Sequence, residues 1–346
     1  MDFSNLLTRW YLQNKRDLPW RTTKNPYPIW LSEIMLQQTR VAQGLPYFLT
    51  FTEAFPTVFD LANASEEQVL KLWQGLGYYS RARNLHKTAQ HVAFELNGVF
   101  PDNYKDLLKL KGIGDYTAAA LASFSYDETV PVVDGNVFRV LSRYFDVETD
   151  IAQASAKKEF AALAFELMPK DNPALFNQAI MEFGALQCVP KNPDCNNCVM
   201  NTGCAALQKN KIHLLPVKSK KLKVRNRFFN YLIVEDENKN ALIQKRTDRG
   251  IWHNLYEFPL IETEEETILD NLVEPIRDLF SENKISSVSE YNSKSQLHKL
   301  SHQHLHIKFW KVEINGTIKN GMDYETLKSH PFPIVIFNFI ENDFLK

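Results

Sequence analysis

Residues 107–122 read LLKLKGIGDYTAAALA, and the turn inside them limits what the chain can become. Gly112-Ile113-Gly114 interrupts one apolar run and opens another whose side chains are small: Thr117, Ala118, Ala119 and Ala120. A helix starting here offers unpaired N–H groups and the positive end of its dipole. Glycines let a phosphate approach those groups closely, so two short helices joined in this way hold a DNA backbone without reading its sequence. The same turn also serves as a plain helix connection. The slim residues 118–120 let the second helix lie close to a neighbour.

At 346 residues, two or three domains are expected. No stretch of about 18 uninterrupted apolar residues occurs, so no membrane span is implied. The start, MDFSNLLTRWYLQNKR, lacks the apolar core of a secretory signal, and a cytoplasmic, nucleoid-associated location is expected for a bacterial chain. The net charge of −1 hides an asymmetry: residues 1–225 hold 26 Lys+Arg against 22 Asp+Glu, and residues 226–346 hold 14 against 19. Only the first part leans towards nucleic acid.

Residues 1–208 read as all-helical. Phe3, Leu6, Leu7, Trp10 and Tyr11 recur at helical spacing behind Ser4 as a cap. Prolines separate helix-length segments at 29–43, 65–73, 80–97, 115–126, 135–145, 154–168 and 173–187. Residues 25–132 are expected to form a helical domain with the hairpin, and 1–24 with 133–208 a second. The basic stretch 209–225 reads as a linker. From 226 the pattern becomes strand, polar turn, strand in RFFNYLIVEDENKNALIQKR, and HLHIKFWKVEING alternates, so 226–346 is expected to be an α+β domain.

The sharpest stretch is WLSEIMLQQTRV, 30–41. On a helix, Glu33 shares a face with Trp30, Leu36 and Gln37. A carboxyl among such neighbours holds its proton above its usual range. Eighteen residues past Tyr116, Asp134 follows the extended Pro-Val-Val and precedes a helix it is placed to cap.

Hairpin, aspartate and helix together resemble the helix-hairpin-helix superfamily of base-excision DNA glycosylases, although Lys111 replaces a commoner proline. The string Ser-Glu-Ile-Met-Leu-Gln-Gln-Thr at 32–39, with LPWR at 18–21 and WQGLGYYSRARNL at 73–85, is similar to the MutY family of adenine DNA glycosylases. The resemblance runs through essentially the whole chain. It implies Glu33 as general acid to adenine N7, Asp134 as the charged partner of a cationic sugar, and Tyr116 supporting the sugar and Asp134. Asn136 would orient Glu33 or the water, and Arg21 would lie near the flipped adenine. Gln38 and Tyr78 match positions that wedge into the duplex, with Leu36 nearby, Thr39 as a further candidate for DNA contact, and Gly112 and Gly114 at the phosphate. Tyr116 stands where a lyase branch carries an amine, so no Schiff base forms and water is the nucleophile.

Cys188, Cys195, Cys198 and Cys204 are the only cysteines. Their spacing of six, two and five leaves zinc and an iron–sulfur cluster open. The family resemblance implies [4Fe–4S]; Lys191 and the loop 192–197 are further candidates for phosphate contact, beside a purely structural clip. RGIWHNLYEFPLIE at 249–262 resembles the start of a Nudix-like domain, but Glu264–Glu266 lack the pattern of a working pyrophosphatase. The domain is therefore expected to be a reader and not an enzyme, and the family resemblance implies that it reads 8-oxoguanine. Ser301 and His302 match a family Phe-Ser-His loop, with Leu300 in place of the phenylalanine. Alternating His302, His304 and His306 leave zinc as a rival for this segment.

The expectation is a monomeric, monofunctional glycosylase acting on adenine opposite 8-oxoguanine or guanine in double-stranded DNA. The rivals are an endonuclease-type glycosylase/lyase for oxidised pyrimidines and a non-catalytic damage sensor.

Overall fold

A computed structural model describes residues 2–219, 224–281 and 284–344. Residues 220–223 of the expected linker lie outside these. The chain divides into two compact units, Met1–Asn63 with Asn84–Lys220, and Ala64–Arg83 with Lys221–Lys346.

In chain order the helices of the first 208 residues are α1 (Phe3–Asn14), α2 (Pro26–Met35), α3 (Val41–Ala54), α4 (Val58–Asn63), α5 (Glu66–Leu72), α6 (Ser80–Phe94), α7 (Tyr104–Leu107), α8 (Asp115–Tyr126), α9 (Gly135–Phe145), α10 (Ala154–Leu167), α11 (Pro173–Leu186) and α12 (Ala205–Gln208). The expected segments 115–126 and 135–145 are reproduced to the residue. Two expectations need correction. Ser4 is not the cap of α1, because Asp2 takes that position and the Ser4 hydroxyl instead donates to the Leu167 carbonyl. The single helix over 29–43 is two helices, because Gln38 adopts a left-handed φ of 56° that no α-helix continues through.

One core of the first unit gathers α1, α9, α10 and α11, with Leu7, Phe160 and Val137 fully buried. Beside it, α8 buries every residue from Thr117 to Ser125 and packs on α2. Its alanines make that approach possible, as their sequence suggested. Gly112 has φ 75°, and an added Cβ would meet Asn84 Cβ at 2.7 Å, so both conformation and space require glycine there.

The extended segment before α9 has its own anchor. Asn177, fully buried on α11, accepts the Val132 N–H at 3.0 Å and donates to the Val130 carbonyl and the Ser123 hydroxyl, each at 2.9 Å. Backbone that cannot join a helix or a sheet thus finds partners in one side chain. Residues 209–219, read as linker, are fastened to the first unit: Arg143 donates to the carbonyls of Ile212 and Leu215, and Lys211 pairs with Asp146.

The second unit holds a five-stranded sheet. β1 (Arg225–Glu235) runs parallel to β7 (Gln303–Asn315), and β4 (Leu260–Thr263) pairs antiparallel on the other side of β1. β5 (Lys284–Glu290) and β6 (Gln296–Lys299) pair antiparallel with different stretches of β7. β2 (Gln244–Lys245) and β3 (Tyr256–Glu257) form a small separate ladder. Residues 229–235 of β1 are buried on both faces, as befits a central strand with a parallel neighbour. Leu232, Val234, Trp310 and Val312 pack one face against Leu272 and against Ile276 of the helix Val273–Leu279 that Leu272 precedes.

Ala64–Arg83 belongs to this unit and is fastened to its segment 328–332. Lys71 Nζ donates to the carbonyls of Lys328 (2.6 Å) and His330 (3.1 Å), Gln74 accepts the Phe332 N–H (2.8 Å), and Glu67 meets the His330 ring.

Replacing Asn177 by Ala leaves the Val132 N–H buried without its acceptor. The expected cost is about 1–3 kcal/mol, read from denaturant or thermal unfolding.

Candidate active site

Pro26 is the first residue of α2, where its fixed φ suits a first turn, and the Asn25 side chain accepts the Tyr27 N–H. Every residue from Ile29 to Met35 is buried, so Glu33 is carried inside by a helix with no solvent face over this stretch. Its side chain accepts the Tyr116 hydroxyl at 2.6 Å. Burial raises the Glu33 carboxyl to about 7; the nearby Asp134 charge adds to the rise, and the Tyr116 bond and Arg21 oppose it. The expected elevated carboxyl is therefore present. Leu36 and Gln37, however, lie at and beyond the C-cap, and Gln37 Nε2 donates to Thr117 Oγ1 of α8 at 3.2 Å.

Asp134 caps α9, accepting the N–H groups of Asn136 and Val137 at 2.8 Å each. The Asn136 amide donates to its second oxygen at 2.7 Å. Burial raises this carboxyl above its ordinary range, while the bonds from Val137 and Asn136 favour its charged form. Two expected roles are thus redistributed. Tyr116 donates to Glu33 rather than to Asp134, and its burial and the two carboxylates hold its own proton in place. Asn136 braces Asp134 rather than Glu33.

Arg21 faces the same cleft but is already paired. It makes a two-pronged contact with Glu182 of α11 at 2.7 and 2.9 Å, and Arg16 does the same at 2.6 and 2.8 Å. Burial alone would raise Glu182, but the hydrogen bonds from Arg16 and Arg21 outweigh it and bring the carboxyl down to about 2. Glu182 escaped the sequence reading. Its signal was a lone acid inside the apolar run AIMEFGAL. Gly184 escaped too: a Cβ there would sit 2.6 Å from Asn136 Cβ, so glycine lets α11 close onto the first turn of α9.

Together Glu33, Tyr116, Asp134 and Asn136 line one cleft of about 630 Å³, with Arg21, Leu36, Thr39 and Glu182 on its wall. Such a volume accommodates a single flipped base and its sugar. Gln38, Gly112 and Gly114 lie elsewhere in the first unit: Gln38 in the left-handed turn after α2, and Gly114 at the N-cap of α8.

Behind Asp134, Arg139 donates to Asn136 Oδ1 (2.7 Å), the Gly184 carbonyl (2.6 Å) and the Cys188 carbonyl (2.7 Å). One turn on, Arg143 donates to the Val189 and Pro190 carbonyls and reaches Cys188 Sγ at 3.4 Å. All four cysteine side chains line one cavity with Val140, Phe183, Met200 and Leu207. Four thiols around a common apolar space, with an arginine donating to one sulfur, fit the donor set of a thiolate-bound metal group. Among the described residues, no group of three or more His, Cys, Asp or Glu converges closely enough to hold a single metal ion.

In the second unit Tyr78 and Tyr79 part company. Tyr79 is buried, whereas Tyr78 is 43% exposed at a left-handed φ of 49°, and its hydroxyl meets that of Ser301. Ser301 and His302 are exposed in the turn between β6 and β7, closed by a Leu300 N–H to Gln303 carbonyl bond of 2.8 Å. His306 stacks on Phe228 and faces Asn226.

Residues 31–166 match the family of HhH-GPD superfamily base excision DNA repair proteins, and residues 230–342 match the NUDIX domain. Over 337 residues the chain is 35% identical to the adenine DNA glycosylase of Buchnera aphidicola subsp. Schizaphis graminum, covering 95% of this chain and 94% of that one. It is 42% identical over 216 residues to the adenine DNA glycosylase of Homo sapiens, covering 60% of this chain and 40% of the human one. Among solved structures, a thermostable thymine-DNA glycosylase aligns at 29% identity with a TM-score of 0.55, covering 60% of this chain and 95% of its own. An endonuclease III–DNA complex, at 21% identity and a TM-score of 0.52, shares the fold over 60% of this chain and 94% of its own.

Glu182 supplies a test of the polar wall. Its depressed carboxyl contributes stability that is present above the ordinary 4.5 and lost as pH falls towards about 2. Glu182→Gln is expected to destabilise by roughly 1–3 kcal/mol at pH 7. The gap in melting temperature from the parent should narrow between pH 4.5 and 3.

Proposed function

The chain belongs to the adenine DNA glycosylase family, and from that membership we propose that it releases adenine mispaired with 8-oxoguanine or guanine in duplex DNA by general-acid hydrolysis. The observation that carries this reading is the unequal treatment of two carboxyls in one cleft. Glu33 accepts the Tyr116 hydroxyl and is raised to about 7, whereas Asp134 accepts three N–H bonds at a helix N-terminus.

A neutral Glu33 gives its proton to adenine N7, which makes the base a better leaving group. Tyr116 holds the Glu33 carboxyl in place. Charged Asp134, braced by Asn136 and the first turn of α9, faces the sugar as the bond opens and opposes its positive charge. Opposed protonation states on two carboxyls are the general solution for cleaving a glycosidic bond at neutral pH. Water completes the hydrolysis, since the residue at 116 is a phenol and not an amine. Arg21, pinned by Glu182, forms a fixed wall for the base. Gly112 and Gly114 present N–H groups to the phosphate backbone.

Cys188, Cys195, Cys198 and Cys204 would hold a [4Fe–4S] cluster, with zinc as the second choice. Held by these four thiolates, such a cluster would tie the segment 188–204 into one loop. The second unit reads the base opposite adenine through Ser301 and His302. 8-Oxoguanine carries a hydrogen on N7 where guanine carries a lone pair, so a side chain that accepts there pairs with the first and not the second.

The test is adenine release from four duplexes, with adenine opposite 8-oxoguanine, guanine, cytosine or thymine. Release is expected opposite the first two, and equal release from all four would refute the mispair reading. Under single-turnover conditions the rate should fall as pH rises through about 7, because the proton on Glu33 is lost there. Glu33→Gln should cost at least about 100-fold in rate and remove that limb. Visible absorbance of the purified protein, with iron analysis, distinguishes the cluster from zinc.

A further inference from the structure

The hairpin assigned above to the phosphate backbone carries an acid at its opening. Gly114 is the N-cap of α8, and Asp115 is the first residue of that helix. The first bond inside the helix runs from the Ala118 N–H to the Gly114 carbonyl, so the N–H groups of the first turn have no acceptor within it. A Cβ built on Gly114 meets nothing within 4 Å, which leaves the approach to those groups open. Asp115 stands beside this opening with its side chain 66% exposed. Its carboxylate accepts the Tyr104 hydroxyl at 3.3 Å and lies 3.7 Å from Lys157 Nζ of α10. On the other side of the turn, Lys109 is matched by Asp106 at 2.6 Å.

For the fold alone, an acid in the first turn of α8 is favourable, because it faces the positive end of the helix dipole. The same position is unfavourable for a polyanion. A phosphate docked on the first-turn N–H groups meets a carboxylate of like sign within about 6–8 Å, a little over one helical turn. Lys157 does not cancel that charge. It is 72% exposed on a long stem, and ion pairs so exposed hold weakly.

We propose that Asp115 is a repulsive element built into the phosphate-binding hairpin, and that it limits the sequence-independent grip of the protein on duplex DNA. Asp115 has this role only if Gly112 and Gly114 hold a phosphate, as assigned above. Phosphate contacts supply nearly all of the affinity for DNA that carries no target. An enzyme that seeks one mispair among many correct pairs gains from leaving undamaged duplex quickly, and from leaving its abasic product. One carboxylate at the phosphate contact shortens both stays. The small basic excess of residues 1–225, 26 Lys+Arg against 22 Asp+Glu, is in keeping with a grip restrained in this way.

The test is the dissociation constant of the full chain for an undamaged duplex, measured by fluorescence anisotropy at several salt concentrations. Asp115→Asn keeps the size of the side chain and removes its charge. It is expected to tighten binding about threefold where water separates the charges, and up to about tenfold where protein lowers the dielectric. The gap from the parent should narrow as salt rises, because the screening length shrinks from about 30 Å at 0.01 M to about 10 Å at 0.1 M. Weaker or unchanged binding by Asp115→Asn refutes the repulsive role, since a residue that only supports the helix brings no gain when its charge is lost. A gain that does not change with salt refutes it as well. Gly114→Ala, whose Cβ has room in the protein, tests the hairpin itself. By obstructing the N–H groups it should weaken binding at least about threefold, the worth of one hydrogen bond. If Gly114→Ala keeps the parental affinity, no phosphate sits at the hairpin and the assignment of the two glycines fails.

Discussion

A carboxyl group enclosed by apolar side chains is the constraint from which the rest of the first unit follows. Taking an ionised carboxylate out of water is costly enough that the group keeps its proton instead. Glu33 is placed in this position by a helix that is apolar all round, and the helix is tolerated because α8 offers it a face of alanines. Burial also forces the polar atoms of Glu33 to find partners, which makes the Tyr116 hydroxyl a structural necessity as well as a chemical one. The hairpin that starts α8 thereby has two consequences. It presents backbone N–H groups at one end and sets the phenol of Tyr116 against the acid one residue into the helix.

The second carboxyl is treated differently by the same unit. Asp134 is less enclosed, half-buried where Glu33 is buried, and it sits where a helix begins, with donors converging on it from the backbone and from Asn136. Asn136 is in turn fixed by Arg139, which also ties down the Gly184 and Cys188 carbonyls. The acid–base contrast therefore does not come from the residue types, since both are simple carboxyls. It comes from where the backbone ends a helix and where it begins one. Glu182 extends the pattern: a third enclosed carboxyl, kept charged by two arginines, stiffens the cleft wall instead of exchanging protons.

Much of this was legible in the sequence. The apolar neighbours of Glu33, the cap at Asp134 and the small residues of α8 follow from local pattern, because burial, capping and close approach are each written in nearby residues. The break after α2 was not legible: LQQTRV carries no glycine or proline, and Gln38 takes its left-handed φ from the tertiary setting. The partners of Tyr116 and Asn136 were exchanged for the same reason, since side-chain pairing depends on how helices distant in sequence pack. Glu182 stood out only as a lone acid in an apolar run, and its pairing was illegible because its arginines lie more than 160 residues away.

Least legible was the grouping of Ala64–Arg83 with the C-terminal unit. Composition, charge and helical period all assign that segment to the residues around it in the chain. Its loyalty is decided by side-chain-to-backbone bonds that no window of sequence displays: Lys71 to the carbonyls of Lys328 and His330, and Gln74 to the Phe332 N–H. A segment held in this way brings Tyr78 to the loop of Ser301 as part of one compact body. A change in the 64–83 segment alters the setting of Ser301, and a change in the β6–β7 turn alters the setting of Tyr78.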